Sequence, residues 1–257
     1  MTATQLSGYV VLAFALAVAG GASGAILGTS HKRLCALISL GAGTLLGVTL
    51  FAILPQTFRT LLGWRLLLAV GSGYCLFAVI SKYVYHVCPA CAASHFDETT
   101  THRFSEIAVA MMLALAIHCT ADGVALAAGH EASQLNQPGG RVLDLSLVVA
   151  ICMHKVPEGL ALGALLLGAG FGRAQVVFWV AGVEATTLLG GVLGWLLLHR
   201  ISVIWLDAVV AHVGGGFLFL AAHAIFGEIL KHHKALVLTN FAIGMGAVGI
   251  VALLLQG

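Results

Sequence analysis

Residues 118–126 read HCTADGVAL and residues 154–162 read HKVPEGLAL; the two stretches align without a gap, sharing a His, an acid four residues on, the Gly that follows it, and Ala-Leu. Each lies inside a long apolar run, roughly 104–129 and 143–168. A hydrocarbon core about 30 Å thick needs about 20 apolar residues per helical span. Six further runs of that kind flank these two, at roughly 8–29, 34–55, 66–86, 175–198, 203–229 and 235–255. None alternates with the period of two that a membrane-spanning β-strand requires. The expected fold is an all-α polytopic membrane protein, one transmembrane domain covering 1–257. Composition agrees, because 60% hydrophobic residues, 9% charged residues and a mean hydropathy of +1.04 exclude an ordinary soluble domain.

The first run is not a secretion signal by this reading: no Lys or Arg precedes it, and it is too long for a signal core. Eight spans place both termini on one side. The loops after runs 1, 3, 5 and 7 carry Lys32, Arg33, Lys82, Arg103, Arg173, Lys231 and Lys234, whereas those after runs 2, 4 and 6 carry Arg59, Arg65, Arg141 and Arg200. The excess of basic residues assigns the first set to the cytoplasm and both termini to the opposite face, in a plasma (inner) membrane. Adjacent spans run antiparallel, so the two quoted stretches are related by a two-fold axis in the membrane plane, an inverted repeat of the kind that frames transporter sites. The glycine clusters Gly41/Gly43/Gly47, Gly190/Gly191/Gly194, Gly214/Gly215/Gly216 and Gly244/Gly246/Gly249 sit at helical spacings, as close helix packing in lipid requires. Cys35, Cys75, Cys119 and Cys152 fall inside spans, which argues against a disulfide framework.

Within each half of the repeat, His and carboxylate at i and i+4 share one helix face about one turn apart. His118 with Asp122 and His154 with Glu158 thus present four convergent donors, a set suited to Zn2+ and also to Fe2+, Mn2+, Co2+ or Cd2+. Ionisable groups at membrane depth are costly, about 3 kcal/mol each on insertion scales. Runs 4 to 6 nevertheless hold Asp122, Lys155, Glu158 and Glu184. Ion pairs that merely brace helices would account for Lys155 and one acid, but leave two acids and two histidines without a reason. Pro157, between His154 and Glu158, is expected to disturb the helix bond to the carbonyl of Met153.

The pattern His118-x-x-x-Asp122-Gly, His154-Lys-x-Pro-Glu158-Gly, Glu184 in the sixth span, and Gly41-Ala-Gly-Thr-Leu-Leu-Gly leading to Leu54-Pro55 in the second resembles the ZIP family of zinc and iron transporters. The resemblance implies an eight-helix 3+2+3 arrangement and uptake of a divalent metal toward the cytoplasm by alternating access. In that scheme spans 1, 4, 5 and 6 move against spans 2, 3, 7 and 8. The metal is then cargo and the chain a secondary transporter, with no cofactor and no enzymatic activity.

The same resemblance assigns His118, Asp122, His154 and Glu158 to the transported ion. In members holding two metals, acids at the positions of Asp122 and Glu158 bridge them, and the second metal also uses an Asn, an Asp and the span 6 Glu. Here the first two of those positions are Cys119 and Lys155. An ammonium where a ligand carboxylate is expected repels a second cation, so the expectation is a mononuclear site with protonated Lys155 paired to Glu184 and to Asp122 or Glu158. Pro55-Gln56 at the end of span 2 stands where relatives carry a His-x-x-Pro-Glu-like sequence, giving a less acidic entrance. Expected partners are the divalent ion, the bilayer and a second copy of the chain in a homodimer, with no nucleic acid.

Other donors lie outside this set. His223 in span 7 resembles a position along the family's ion path, in a span that also holds His212 and Glu228. The loop after span 3 offers His86, Cys88, Cys91, His95 and His102, either a cytoplasmic metal relay or a solvated segment; Cys-Pro-Ala-Cys alone does not define a zinc site. Two other functions use the same donors. An intramembrane metal enzyme would employ Glu158 as base, and a haem electron carrier would employ His118 and His154 as axial ligands.

Overall fold

The structure, a computed structural model, describes residues 3–27, 31–83, 101–135, 137–199, 201–229 and 234–256. Among these are eight long helices and no strand. They are α1 (Ala3–Leu27), α2 (His31–Val48, continued by Thr49–Ile53 and Leu54–Thr57), α3 (Trp64–Tyr83), α4 (Thr101–Gln134), α5 (Gly140–Gly168), α6 (Arg173–Leu198), α7 (Val203–Ile229) and α8 (Lys234–Gln256). All eight are long and apolar enough to cross a membrane, and each coincides with one of the eight apolar runs. The helices extend past several runs because backbone hydrogen bonding continues after the side chains turn polar.

Two prolines sit in these helices, with different outcomes. Ahead of Pro55, α2 widens into a π-helical stretch, Thr49–Ile53, in which the Leu54 N–H reaches back to the Thr49 carbonyl. A π-bulge absorbs the crowding that proline imposes on the preceding turn. Pro157 does not interrupt α5, which is helical from Gly140 to Gly168. The expected disturbance there is confined to the one bond that proline cannot make.

The helices pair along glycine seams: α1 with α5, α4 with α6, α2 with α8 and α3 with α7. In every seam one glycine on each helix lies against a carbonyl of its partner. These are Gly20 on Val156 and Gly159 on Ala17, Gly123 on Thr187 and Gly190 on Thr120, Gly43 on Phe241 and Gly244 on Leu40, and Gly73 on His212 and Gly215 on Val70. Lipid tails are as apolar as leucine, so helices associate through close backbone approach rather than by hydrophobic exclusion. Helices α1, α4, α5 and α6 pack mutually; α2, α7 and α8 do likewise, with α3 joined to them through α7; α5 meets α2 and α8, and α4 meets α7, across the division. Within its most apolar window α5 is 67% buried, against 17% for α3 and 28% for α8, which makes α5 the enclosed helix and leaves those two at the periphery.

Substituting Gly190 by Val forces a Cβ into the Thr120 carbonyl and should separate α4 from α6. The expected outcome is a destabilisation of about 1–3 kcal/mol or more, read as a lowered thermal midpoint in detergent. Gly182 has open space around it, so Gly182→Val should leave the midpoint nearly unchanged.

Candidate metal centre

The inverted repeat meets where α4 and α5 cross, and there the four expected donors converge. His118, Asp122, His154 and Glu158 are all buried, with one ligand atom from each lying within 4.8 Å of the others. His118 Nε2 stands 3.6 Å from Asp122 Oδ2 and 3.8 Å from Glu158 Oε2; His154 Nε2 stands 3.2 Å and 3.9 Å from the same two oxygens. Two donors sharing one ion through bonds of about 2.0–2.2 Å at a tetrahedral angle lie about 3.3–3.6 Å apart. The cluster therefore has the dimensions of an ion site. Its two imidazoles are 5.6 Å apart between centroids, with Phe77 edge-on to His118 and Phe217 edge-on to His154.

The orientation of His154 is set from behind. Its Nδ1–H donates to the Ala150 carbonyl at 2.9 Å, and Thr44 Oγ1 of α2 reaches the same carbonyl at 3.3 Å. A carbonyl only accepts, so Nδ1 carries the proton and a neutral ring turns the Nε2 lone pair toward Asp122 and Glu158. A lone pair facing two carboxylate oxygens is repulsive until a cation or a second proton lies between them. Backbone support of this kind is how proteins orient metal-binding histidines. Gly41 of α2 lies against His154 Cβ and Pro157 Cγ, leaving no room there for a side chain.

Lys155 occupies the other side of the two shared oxygens. Its Nζ is 2.9 Å from Asp122 Oδ2, 2.9 Å from Glu158 Oε2 and 3.1 Å from Glu184 Oε2, with Cys119 Sγ at 3.1 Å. Lys155, Asp122, Glu184 and Cys119 are fully buried. Asp122 and Glu158 each use one oxygen to face both imidazoles and the ammonium, so these oxygens bridge the donor cluster and Nζ. The Cys119 thiol donates toward Glu158 Oε1 at 3.3 Å and Glu184 Oε2 at 3.4 Å. The sequence reading pairs Lys155 with Glu184 and with Asp122 or Glu158; the structure brings its ammonium to all three at once.

A cavity of about 140 Å³ lies against His118, His154 and Glu158. It is lined by Ile38 and Gly41 early in α2, Ile80 and Ser81 late in α3, Ala114 before His118 in α4, Pro157 in α5, and His223 late in α7. His223 stacks on Phe219 at 5.4 Å and borders the cavity. The opposite side of the cluster is closed by apolar packing that includes Val48, Ile53, Leu126, Leu143, Leu147, Ile151 and Phe217. His212 lies apart, with Nδ1 at 2.8 Å from Ser72 Oγ on the α3–α7 seam. His86, Cys88, Cys91 and His95 fall outside the described residues, and of His102 and Glu228 only the backbone is described.

Two buried polar pairs are not foreshadowed by the sequence. His130 faces Asp144 near the α4–α5 connection, and Asp207 accepts a hydrogen bond from Thr60 between α7 and the end of α2. Each pair joins residues well separated in the chain, and only packing brings the partners together. Among known proteins, a family model described as ZIP zinc transporter matches residues 86–254. That stretch contains every residue of the cluster.

Replacing Lys155 by Met keeps the bulk of the side chain but leaves three buried carboxylates without their ammonium. Breaking a buried ion cluster in this way costs about 3–5 kcal/mol, so the thermal midpoint should fall sharply in metal-free buffer. Excess zinc should restore some of the loss by filling the vacated position, an effect absent from Glu184→Gln. An unchanged midpoint would show that Lys155 carries no such burden.

Proposed function

The chain belongs to the ZIP zinc transporter family, and on that premise we propose that it moves one divalent transition-metal ion at a time through a mononuclear site formed by His118, Asp122, His154 and Glu158. Zinc is the leading cargo, since two imidazoles and two carboxylates match its preferred tetrahedral set. The observation that carries the mononuclear reading is the position of Lys155 Nζ, 2.9 Å from both shared oxygens. An ammonium there holds the place and the charge of a second ion. With its three carboxylates ionised, the cluster keeps two negative charges after pairing with Lys155, the charge that one divalent cation neutralises. Glu184 serves Lys155 in this reading rather than the cargo.

The position of the cavity supports the inward direction. Its lining residues lie toward the ends of α3 and α7 and the beginning of α2, the side of the loops that carry most of the Lys and Arg. Cytoplasmic assignment of that side makes the conformation inward-open, with the ion released inward past His223 and both termini outside. The two packing groups, α1/α4/α5/α6 and α2/α3/α7/α8, support a 3+2+3 arrangement in which one group rocks against the other around the ion. Such motion exposes the site to one side at a time without nucleotide hydrolysis. The haem reading gains no support, because carboxylates face the Nε2 atoms of both imidazoles, and the hydrolytic reading gains none from the family match.

Purified protein in proteoliposomes should admit zinc, and His118→Ala or Glu158→Ala should lower the flux by about tenfold or more. Loss of even an outer-shell partner commonly costs 10–100-fold in metal affinity. Intact flux in both variants would remove the central site from the pathway. Lys155→Asp should bind one more ion than the wild type in equilibrium dialysis.

A further inference from the structure

On the sealed side of the molecule, His130 of α4 and Asp144 of α5 face each other, each 6% exposed. His130 lies twelve residues beyond His118 and Asp144 ten residues before His154, so the pair sits about 15–18 Å from the central cluster at 1.5 Å per residue. Leu126, Leu147 and Ile151 fill the interval. His130 Nδ1 and Asp144 Oδ2 are 3.6 Å apart. That is too long for a hydrogen bond, which needs about 2.7–3.2 Å, and it equals the His118–Asp122 separation in the central cluster. His130 Nδ1 and Asp144 Oδ1 both lack a hydrogen-bond partner. Unpaired polar atoms in a buried setting are costly, and their presence here calls for a missing partner.

We propose that His130 and Asp144 form a second site for a divalent transition-metal ion, a staging position on the sealed side of the apolar layer. The His130 ring is already held for this purpose. Gln134, one turn on, is 3.4 Å from Nε2; a half-turn of its amide lets its oxygen accept the Nε2 proton and frees the Nδ1 lone pair for an ion. Tyr9 packs edge-on to the imidazole with centroids 6.2 Å apart. Asp144 supplies one or both carboxylate oxygens, and water completes the coordination. The site becomes continuous with the central cluster when the Leu126–Leu147–Ile151 layer opens. This inference rests on the central cluster being the transport site.

The test counts ions in the full-length protein, stripped with chelator in detergent and titrated with Co2+, whose visible absorption reports low-symmetry coordination. Wild type should take two ions. Asp144→Asn should take one, His118→Ala/His154→Ala should also take one, and adding Asp144→Asn to the latter should abolish binding. His130→Phe, which keeps an aromatic ring against Tyr9, repeats the Asp144 arm should that variant fail to fold. Binding that drops in His118→Ala/His154→Ala but is untouched by both His130→Phe and Asp144→Asn overturns the second site and leaves the central one standing. Binding untouched by His118→Ala/His154→Ala overturns the central reading instead.

Discussion

Three carboxylates buried within a membrane bundle need compensating positive charge, and here one ammonium of the chain itself supplies part of it. Lys155 sits between Asp122, Glu158 and Glu184 at hydrogen-bonding distance. A buried charge left alone costs several kcal/mol even after relaxation, so the lysine and the acids require one another. What they leave over is the feature that matters: two carboxylate oxygens shared between the ammonium on one side and two imidazoles on the other. Family transport chemistry is thereby combined with a permanently resident cation. Under the proposed function, an ion entering the cluster would meet a field already partly neutralised by Lys155, which would lower its affinity and favour its release.

That arrangement depends on α5, which carries His154, Lys155 and Glu158 on consecutive turns and is the most enclosed helix of the bundle. Its position is set by three glycine contacts on two sides: Gly159 against Ala17 of α1, Gly20 of α1 against Val156, and Gly41 of α2 against His154. Backbone contact this close fixes the rotation of α5 and hence the direction of its side chains. The continuous helix through Pro157 serves the same end, since a kink between His154 and Glu158 would pull apart a pair of donors that must face one ion.

Much of this is legible in the sequence. Runs of about 20 apolar residues mark all eight helices, because membrane spans are selected by length and hydropathy rather than by tertiary context. The central donors are legible because His-x-x-x-acid spacing is a local property of a helix, repeated in HCTADGVAL and HKVPEGLAL. Lys155 stands out as an ammonium among acids. What stays hidden depends on register between helices: that Lys155 reaches Asp122, Glu158 and Glu184 simultaneously, that the Cys119 thiol joins it, and that His130 meets Asp144. Asp144 lies at the start of an apolar run, three residues from Arg141, and its contact with His130 is fixed only once α4 and α5 are packed against each other. Pro157 disturbs α5 less than its place in the sequence suggests, since a proline inside a well-packed helix can remove one hydrogen bond without breaking the path of the backbone.

The central claim is that the Asp122–Glu158 cluster holds one ion, with Lys155 in place of a second. Anomalous diffraction at the zinc edge from crystals of the wild-type protein tests it most directly. The account predicts a single peak in that cluster, between His118 and His154, with lysine density on the far side of the shared oxygens. Two peaks flanking Asp122 and Glu158, with Lys155 displaced, would contradict it.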